Sequence, residues 1–301
     1  MPLARAVVAS LCAATPRPFE LLRALPVGGG DINRSFLLEG ADGARYFLKL
    51  NTARQHALFS AEAAGLAALA ATRTVRVPQV IAHGVTGDHS YLLLEYLALN
   101  SRGDAGALGE KLAALHRNTA DRFGFAQDNF IGSTPQPNGC TDDWTTFWRE
   151  QRLGFQLRLA AQNGYGGTLQ SAGEKLLQRL PAFFAGYTPQ PALLHGDLWG
   201  GNHAFLADGS PVIFDPAAYY GDRECDLAMT ELFGGYPAEF YAAYQAAWPL
   251  DAGYATRRDL YNLYHLLNHA NLFGGEGGDR LRVTGYAKQA EQMIARLLAQ
   301  T

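Results

Sequence analysis

The stretch LLHGDLWGGNHAF, residues 193–205, decides how the rest of the chain is read. It sets His195, Gly196, Asp197 and Asn202 in one short loop, with Gly200, Gly201 and Trp199 among them. Glycine and aspartate are poor material for either helix or strand. Polar residues held between two apolar runs therefore point to a site, not to a core.

Downstream, Asp215 closes the strand-like run PVIFD, and Pro216 is expected to hold it extended. Asp197, Asn202 and Asp215 together offer hard oxygen ligands of the kind Mg²⁺ takes. Each alone reads equally well as a helix cap or a turn former.

Upstream, the alanine-rich segment 54–71 is expected to be helical. Its Leu58, Glu62, Leu66 and Leu69 fall on one face. An acid on an apolar stripe is costly unless it is paired. Lys49, in the strand-like run YFLKL, alternates onto the side of Phe47, opposite Tyr46, Leu48 and Leu50. A Lys49–Glu62 pair between adjacent elements is one reading. In the other, Glu62 sits at the stripe's margin and Lys49 snorkels to water. A Lys–Glu pair, a glycine turn, an H-x-D-x-x-x-x-N loop and an aspartate after a strand come in the order phosphoryl transfer requires.

The 301 residues suffice for two packed lobes, and 48% hydrophobic with 18% charged residues is ordinary globular composition. A net charge of -3 gives no electrostatic reason to bind nucleic acid or an anionic membrane. Cys12, Cys140 and Cys225 are scattered, form no metal-ligand spacing and fit a reduced, cytoplasmic setting. Arg5 and the apolar run 6–14 faintly imitate a signal peptide, but Ser10 interrupts it. A short first helix packed on a neighbouring lobe is the expectation. No apolar run is long enough to span a bilayer.

Runs at 19–27, 34–40, 44–50, 78–85 and 91–97 read as strands, and the first glycine cluster is GGGD at 28–31. After residue 97 helical patterns dominate, at 104–120, 142–162, 168–185, 236–248, 254–271 and 282–299. The expected class is α+β, with a small β-rich lobe carrying one main helix (1–97) and a larger helical lobe (98–301). Residues 121–141 form a long irregular run, expected to be a functional or mobile loop.

HGDLWGGN with FDPA resembles the catalytic and metal-binding segments of the protein-kinase-like aminoglycoside and choline kinases. Within that group the chain is most similar to the fructosamine kinase (ketosamine 3-kinase) family. The resemblance is carried by GGGDINRSF, FLKL, FIGSTPQPN, W-x-x-F-W-x-E-Q-R-L, HGDLWGGN, DPAAYYGDRECDLAMTELFGG and YHLLNHANLFG, from about residue 28 to 274. It implies a bilobal kinase that moves the γ-phosphoryl group of ATP to O3 of a ketosamine. The substrate would be a glycated small amine or glycated lysine, and the product would decompose and free the amine.

By this resemblance Asp197 is the catalytic base, and Asn202 and Asp215 are the Mg²⁺ ligands. Lys49, held by Glu62, would touch the phosphates, with Gly28, Gly29 and Gly30 in the turn above them. Glu95, Tyr96 and Leu97 would meet adenine through their backbone. Trp199, Asn268, His269 and Asn271 would face the substrate, with Arg152 and the IGSTPQPN loop framing the same cleft. His195 reads as structural, Asp222 as a helix cap and Asp226 as a brace of the catalytic loop. A monomer or weak dimer is implied. Some eukaryotic relatives carry a cysteine in the glycine turn, linked to redox control of dimer state. None stands here, so that control does not transfer.

Two other readings stay open. One is a kinase of the same fold with another hydroxyl acceptor, such as an aminoglycoside, choline or methylthioribose. The other is a nucleotide-binding pseudokinase scaffold, against which the presence of Lys49, Glu62, Asp197, Asn202 and Asp215 speaks.

Overall fold

Strand alternation and alanine-rich helix meet first in the N-terminal third. The computed structural model describes residues 2–15, 18–28, 33–273 and 280–300. The chain divides into two compact units: Met1–Asp104 with His203–Pro216, and Ala105–Asn202 with Ala217–Thr301. The first unit thus reaches past the expected boundary at 97 and takes in a later hairpin that sequence reading had assigned to the helical lobe.

In the first unit, α1 (Pro2–Ala14) precedes β1 (Leu21–Val27), β2 (Arg34–Gly40), β3 (Arg45–Thr52), α2 (His56–Ala71), β4 (Val80–Thr86) and β5 (His89–Glu95). The strands form one antiparallel sheet in the order β1-β2-β3-β5-β4. One face of the sheet packs Leu38, Leu48, Leu50, Tyr91 and Leu93 against Val7 and Leu11 of α1. The first helix therefore covers its own unit's sheet, not a neighbouring lobe. The Tyr91 hydroxyl seals that contact on Ser10 Oγ at 2.7 Å. Lys49 stands on the central strand β3, opposite Ser35 of β2 and Leu92 of β5. In α2, Leu58, Leu66 and Leu69 are buried, as the periodicity requires.

The second unit is mainly helical: α3 (Ala105–His116), the hairpin β6 (Asn129–Ile131) and β7 (Thr134–Gln136), then α4 (Trp144–Phe147). A π-helical turn (Trp148–Leu153) joins α4 to α5 (Gly154–Gln162), followed by α6 (Thr168–Phe183) and β8 (Ala192–Leu194). The chain then returns to the first unit as β9 (His203–Phe205) and β10 (Pro211–Ile213), an antiparallel pair. It re-enters the second unit through β11 (Tyr219–Gly221), which pairs with β8, and continues as α7 (Glu224–Leu232), α8 (Ala238–Ala247), α9 (Tyr254–Phe273) and α10 (Arg280–Ala299). The core of this unit gathers Trp144, Phe147, Trp148, Leu176, Tyr261, Leu267 and Ile294.

The irregular run 121–141 is not loose. Asn129, Gln136 and Asn138 are buried in it, and their amides bond to each other and to the carbonyls of Ala217 and Ala218. No apolar alternation announces such a segment, because its inward side chains are amides.

Candidate active site

Lys49 is buried, 5% exposed, yet its ammonium is not alone. Nζ lies 2.7 Å from Glu62 Oε1 of α2 and 2.5 Å from Asp215 Oδ1 beyond β10. Burial would push the ammonium down, but the charges of Asp215 and Glu62 outweigh it and hold it above its usual range. Burial and the Asp215 charge push Glu62 up to about 6 against the pull of Lys49. Glu62 is thus a paired acid and not a margin residue.

Asp215 does not continue its strand. Its φ is +58°, in the left-handed region that a non-glycine residue adopts only at a cost of about 1–2 kcal/mol. The expectation that Pro216 keeps it extended is therefore corrected: β10 ends at Ile213 and the chain turns sharply at the acid. The turn leaves the Asp215 side chain 46% exposed while one oxygen serves Lys49.

The connector after β5 is tied from below. The Glu95 carboxylate accepts the Arg76 guanidinium and the Gln79 N–H, each at 2.5 Å, and its own N–H donates to Gln79 O. The Arg45 guanidinium lies 4.6 Å over the Tyr96 ring. Leu97 is half-buried. Gly28 follows β1 and is exposed, whereas Gly29 and Gly30 lie outside the described residues.

In the second unit the loop after β8 is fixed by its backbone. Asp226, on α7, accepts the N–H groups of His195 at 2.7 Å and Gly196 at 2.8 Å. Its carboxylate is braced by His116 Nε2 at 3.1 Å, and His116 is held in turn by the Tyr244 hydroxyl at 2.8 Å. Gly196 has φ +83°, and a Cβ there would lie 2.1 Å from Ala217 O, so only glycine fits. His195 is fully buried, with Nδ1 accepting the Asp197 N–H at 3.2 Å. Asn202 Nδ2 donates to the Asp197 carbonyl at 2.8 Å and to its Oδ2 at 3.2 Å. Sequence reading found Asp226 but missed His116 and Tyr244, which lie 110 and 18 residues from it and carry no local signal.

Asp222 does more than cap a helix. It accepts the Glu224 N–H at 3.0 Å at the start of α7, and it also takes the hydroxyls of Tyr187 and Tyr261.

The four expected substrate residues part company. Trp199 is 40% exposed, and its ring covers Gly201 so closely that a Cβ there would come within 2.3 Å of it. Asn268 is buried, its Oδ1 accepting from Gln156 at 3.2 Å. Asn271 spends its amide on Gln156 of α5 at 3.0 and 2.8 Å and accepts from Asn163 at 3.0 Å. His269 packs among Phe233, Phe273 and Tyr286, and burial lowers its pKa. None of the three is an ordinary helix-surface polar residue. Arg152 does not frame an open cleft either: it is fully buried. A cavity of about 630 Å³ in this unit, lined by Leu227, Glu231, Tyr241, Tyr244 and Tyr254 among others, includes none of the expected substrate residues.

Each unit by itself offers an oxygen of the hard kind that Mg²⁺ takes. In the second unit, Nδ2 of Asn202 is spent on Asp197, which leaves its carbonyl oxygen as a hard acceptor. In the first unit, Asp215 keeps a half-exposed carboxylate beside Lys49. Among the described residues no group of three or more His, Cys, Asp or Glu forms a cage. Mg²⁺ is usually held by one or two protein oxygens together with substrate phosphates.

The fructosamine kinase family model matches residues 3–300. The chain belongs to the fructosamine kinase family. A "Probable ketoamine kinase" of Synechocystis is 48% identical over 94% of this chain and 93% of its own length. The "Protein-ribulosamine 3-kinase, chloroplastic" of Arabidopsis thaliana is 45% identical over 89% of this chain and 80% of its own. A crystal structure from Haemophilus somnus that carries the fructosamine-3-kinase name superposes with a TM-score of 0.87 at 30% identity, covering 97% of this chain and 96% of that one. More distantly, the choline kinase of Streptococcus pneumoniae shares the fold, with a TM-score of 0.65 at 13% identity. The fold is thus protein-kinase-like, and the protein is an ATP-dependent kinase of a family that phosphorylates ketosamines. Among the described residues no helix is long and apolar enough to cross a membrane.

Proposed function

We propose that this kinase transfers the γ-phosphoryl group of ATP to O3 of a 1-amino-1-deoxy-2-ketose. The ketose is a fructosamine or ribulosamine adduct of a small amine or of an exposed lysine, and the transfer starts its deglycation. The observation that carries the reading is the buried Lys49 ammonium between Glu62 and Asp215. A cation held in this way on a central strand suits an anionic triphosphate, and it supports an active kinase over a scaffold.

In this reading Asp197 accepts the O3 proton as that oxygen bonds to the γ-phosphorus and the bridging oxygen leaves with ADP. Lys49 contacts the phosphates, with Glu62 fixing its position. The backbone of Glu95 to Leu97 lies toward adenine and Gly28 to Gly30 toward the phosphates. Asn202 and Asp215 would hold Mg²⁺, which when bound neutralises phosphate charge. The exposed ring of Trp199 offers a stacking face for a sugar, with Asn268, His269 and Asn271 behind the same substrate.

Phosphorylation at O3 has a chemical consequence. Enolisation between C1 and C2 makes the C3 substituent a leaving group, and phosphate leaves far better than hydroxide. The adduct then breaks down and frees its amine. Similarity to a protein named for ribulosamine phosphorylation supports the acceptor class. A cytoplasmic location fits three free cysteines, and a monomer or weak dimer is the proposed state.

The test is ATP consumption with ribuloselysine, fructoselysine, unmodified lysine, an aminoglycoside, choline and methylthioribose, with ³¹P NMR locating the new ester. Turnover with either adduct and a signal on C3 is expected. Turnover only with an aminoglycoside, choline or methylthioribose would assign the other acceptor.

A further inference from the structure

Arg152, in the π-helical turn before α5, is fully buried. Among the described residues no carboxylate pairs with it, and its Nε has no hydrogen-bond partner. An apolar side chain would fill the same volume without the cost of a buried charge. The charge is nevertheless used twice.

The first use is stacking. The guanidinium lies 4.5 Å over the Phe147 ring and 4.0 Å over the Tyr219 ring. Tyr219 pairs with Leu194, the residue before His195. The second use is a chain of amides. Nη1 donates to Pro137 O at 2.6 Å and Nη2 to Asn138 Oδ1 at 2.7 Å. Asn138 donates to Asn129 Oδ1 at 2.9 Å, as does Gln136 at 2.8 Å. Gln136 also donates to Ala217 O at 3.0 Å, and Asn129 to Ala218 O at 2.7 Å. The Ala217 N–H completes the circuit on His195 O at 2.9 Å. The two routes end on adjacent residues of the backbone, Leu194 and His195, three and two positions before Asp197.

We infer that Arg152 is a positioning residue for Asp197. It fixes residues 217–219 from one side of the catalytic loop while Asp226 holds the loop's N–H groups. Only a planar, forked cation can stack on two rings and also bond to the hairpin; lysine cannot do both. Nearby, burial above all pushes His265 down to about 3, with smaller parts from the His269 and Arg152 charges and against the pull of Asp226.

The inference rests on the reading of Asp197 as the base. The experiment is a double-mutant cycle on kcat with Arg152→Lys and Gln136→Met, using ATP and fructoselysine, alongside Asp197→Asn. Each single variant should lose about 10- to 100-fold in kcat, the scale of a small misplacement of reacting groups. KM for ATP should stay within about threefold. The double variant should lose little more than the worse single, because both substitutions cut one chain. Thermal unfolding of each variant shows that the assay reports folded enzyme. A kcat within about threefold of the parent in Arg152→Lys, with only the melting temperature lowered, overturns the inference and leaves Arg152 as packing. Multiplicative losses overturn the shared route. If Arg152→Lys does not fold, Arg152→Gln keeps a donor for Pro137 O and is judged by the same kcat criterion. Retained turnover in Asp197→Asn would instead defeat the base assignment itself, which separates the two failures.

Discussion

The Lys49 ammonium sits 2.5 Å from Asp215 Oδ1, across 166 residues of sequence, and 2.7 Å from Glu62 on its other side. One buried cation therefore serves two acids of unequal exposure, Glu62 at 14% and Asp215 at 46%.

That inequality sets the outcome of a stability cycle. Lys49→Met leaves Glu62 buried without a partner and should cost on the order of 3–5 kcal/mol. Glu62→Leu leaves Lys49 still paired with Asp215 and should cost less. Lys49→Met/Glu62→Leu should be no less stable than Lys49→Met alone, because water solvates the half-exposed Asp215, yet its turnover should stay low. Urea denaturation of the four proteins checks this, and strictly additive losses would show that the pair is energetically uncoupled.

Asp197→Asn should fold and bind ATP like the parent while turnover falls about 10²- to 10⁴-fold, the range for losing a general base. Calorimetric ATP titration and single-turnover kinetics separate the two effects. Weakened ATP binding with an unchanged chemical step would reassign the residue to the nucleotide.

Asp215→Ala should abolish turnover at every Mg²⁺ concentration, because the phosphates would lose a charge-neutralising bridge. Stability should change little, because Lys49 keeps Glu62. Activity recovered by raising Mg²⁺ to saturation would indicate that Asp215 tunes affinity only.

Gly201→Ala would put a methyl 2.3 Å from the Trp199 ring and force the indole aside. If that ring stacks on the sugar, both Gly201→Ala and Trp199→Ala should raise the KM for the ketosamine about 3- to 10-fold with KM for ATP unchanged. Equal shifts in both constants would place the indole elsewhere.

Asp226 gives a pH signature. Burial would raise its pKa, but the hydrogen bond and charge of His116, the charge of His195 and the Gly196 N–H outweigh burial and lower it from 3.8. A depressed carboxylate contributes stability that is present above the unfolded pKa and lost as pH falls through the folded one. Unfolding free energy should therefore drop below pH 3.8, and Asp226→Asn should lack that component. The gap between parent and variant should be about 3 kcal/mol near neutrality and narrow in acid. Denaturation at a series of pH values reads it, and a constant gap would mean that Asp226 keeps its proton state throughout.

Sequence alone determined whatever depends on short-range pattern. Apolar runs bounded by turn residues marked β2, β3 and β5, and a period near 3.6 placed Glu62 on the buried face of α2 beside Leu58 and Leu66. The loop chemistry of 195–202 needed no fold to be noticed, because glycine and aspartate are poor helix and strand formers and here interrupt two apolar runs. Tertiary structure alone decided which distant groups answer these. That Asp215 adopts φ +58° beside Lys49 could not follow from Pro216, whose local preference is overridden by the ion pair and the turn out of β10. The amide hairpin 129–138 and the buried Arg152 were illegible for a related reason: what ties them to the catalytic loop are the Ala217 and Ala218 carbonyls and the Tyr219 ring, some 60 to 90 residues away, which leave no mark on local hydrophobic periodicity. Local periods reflect the solvent each side chain meets; long-range polar networks reflect desolvated groups finding one another, and only the folded chain brings those together.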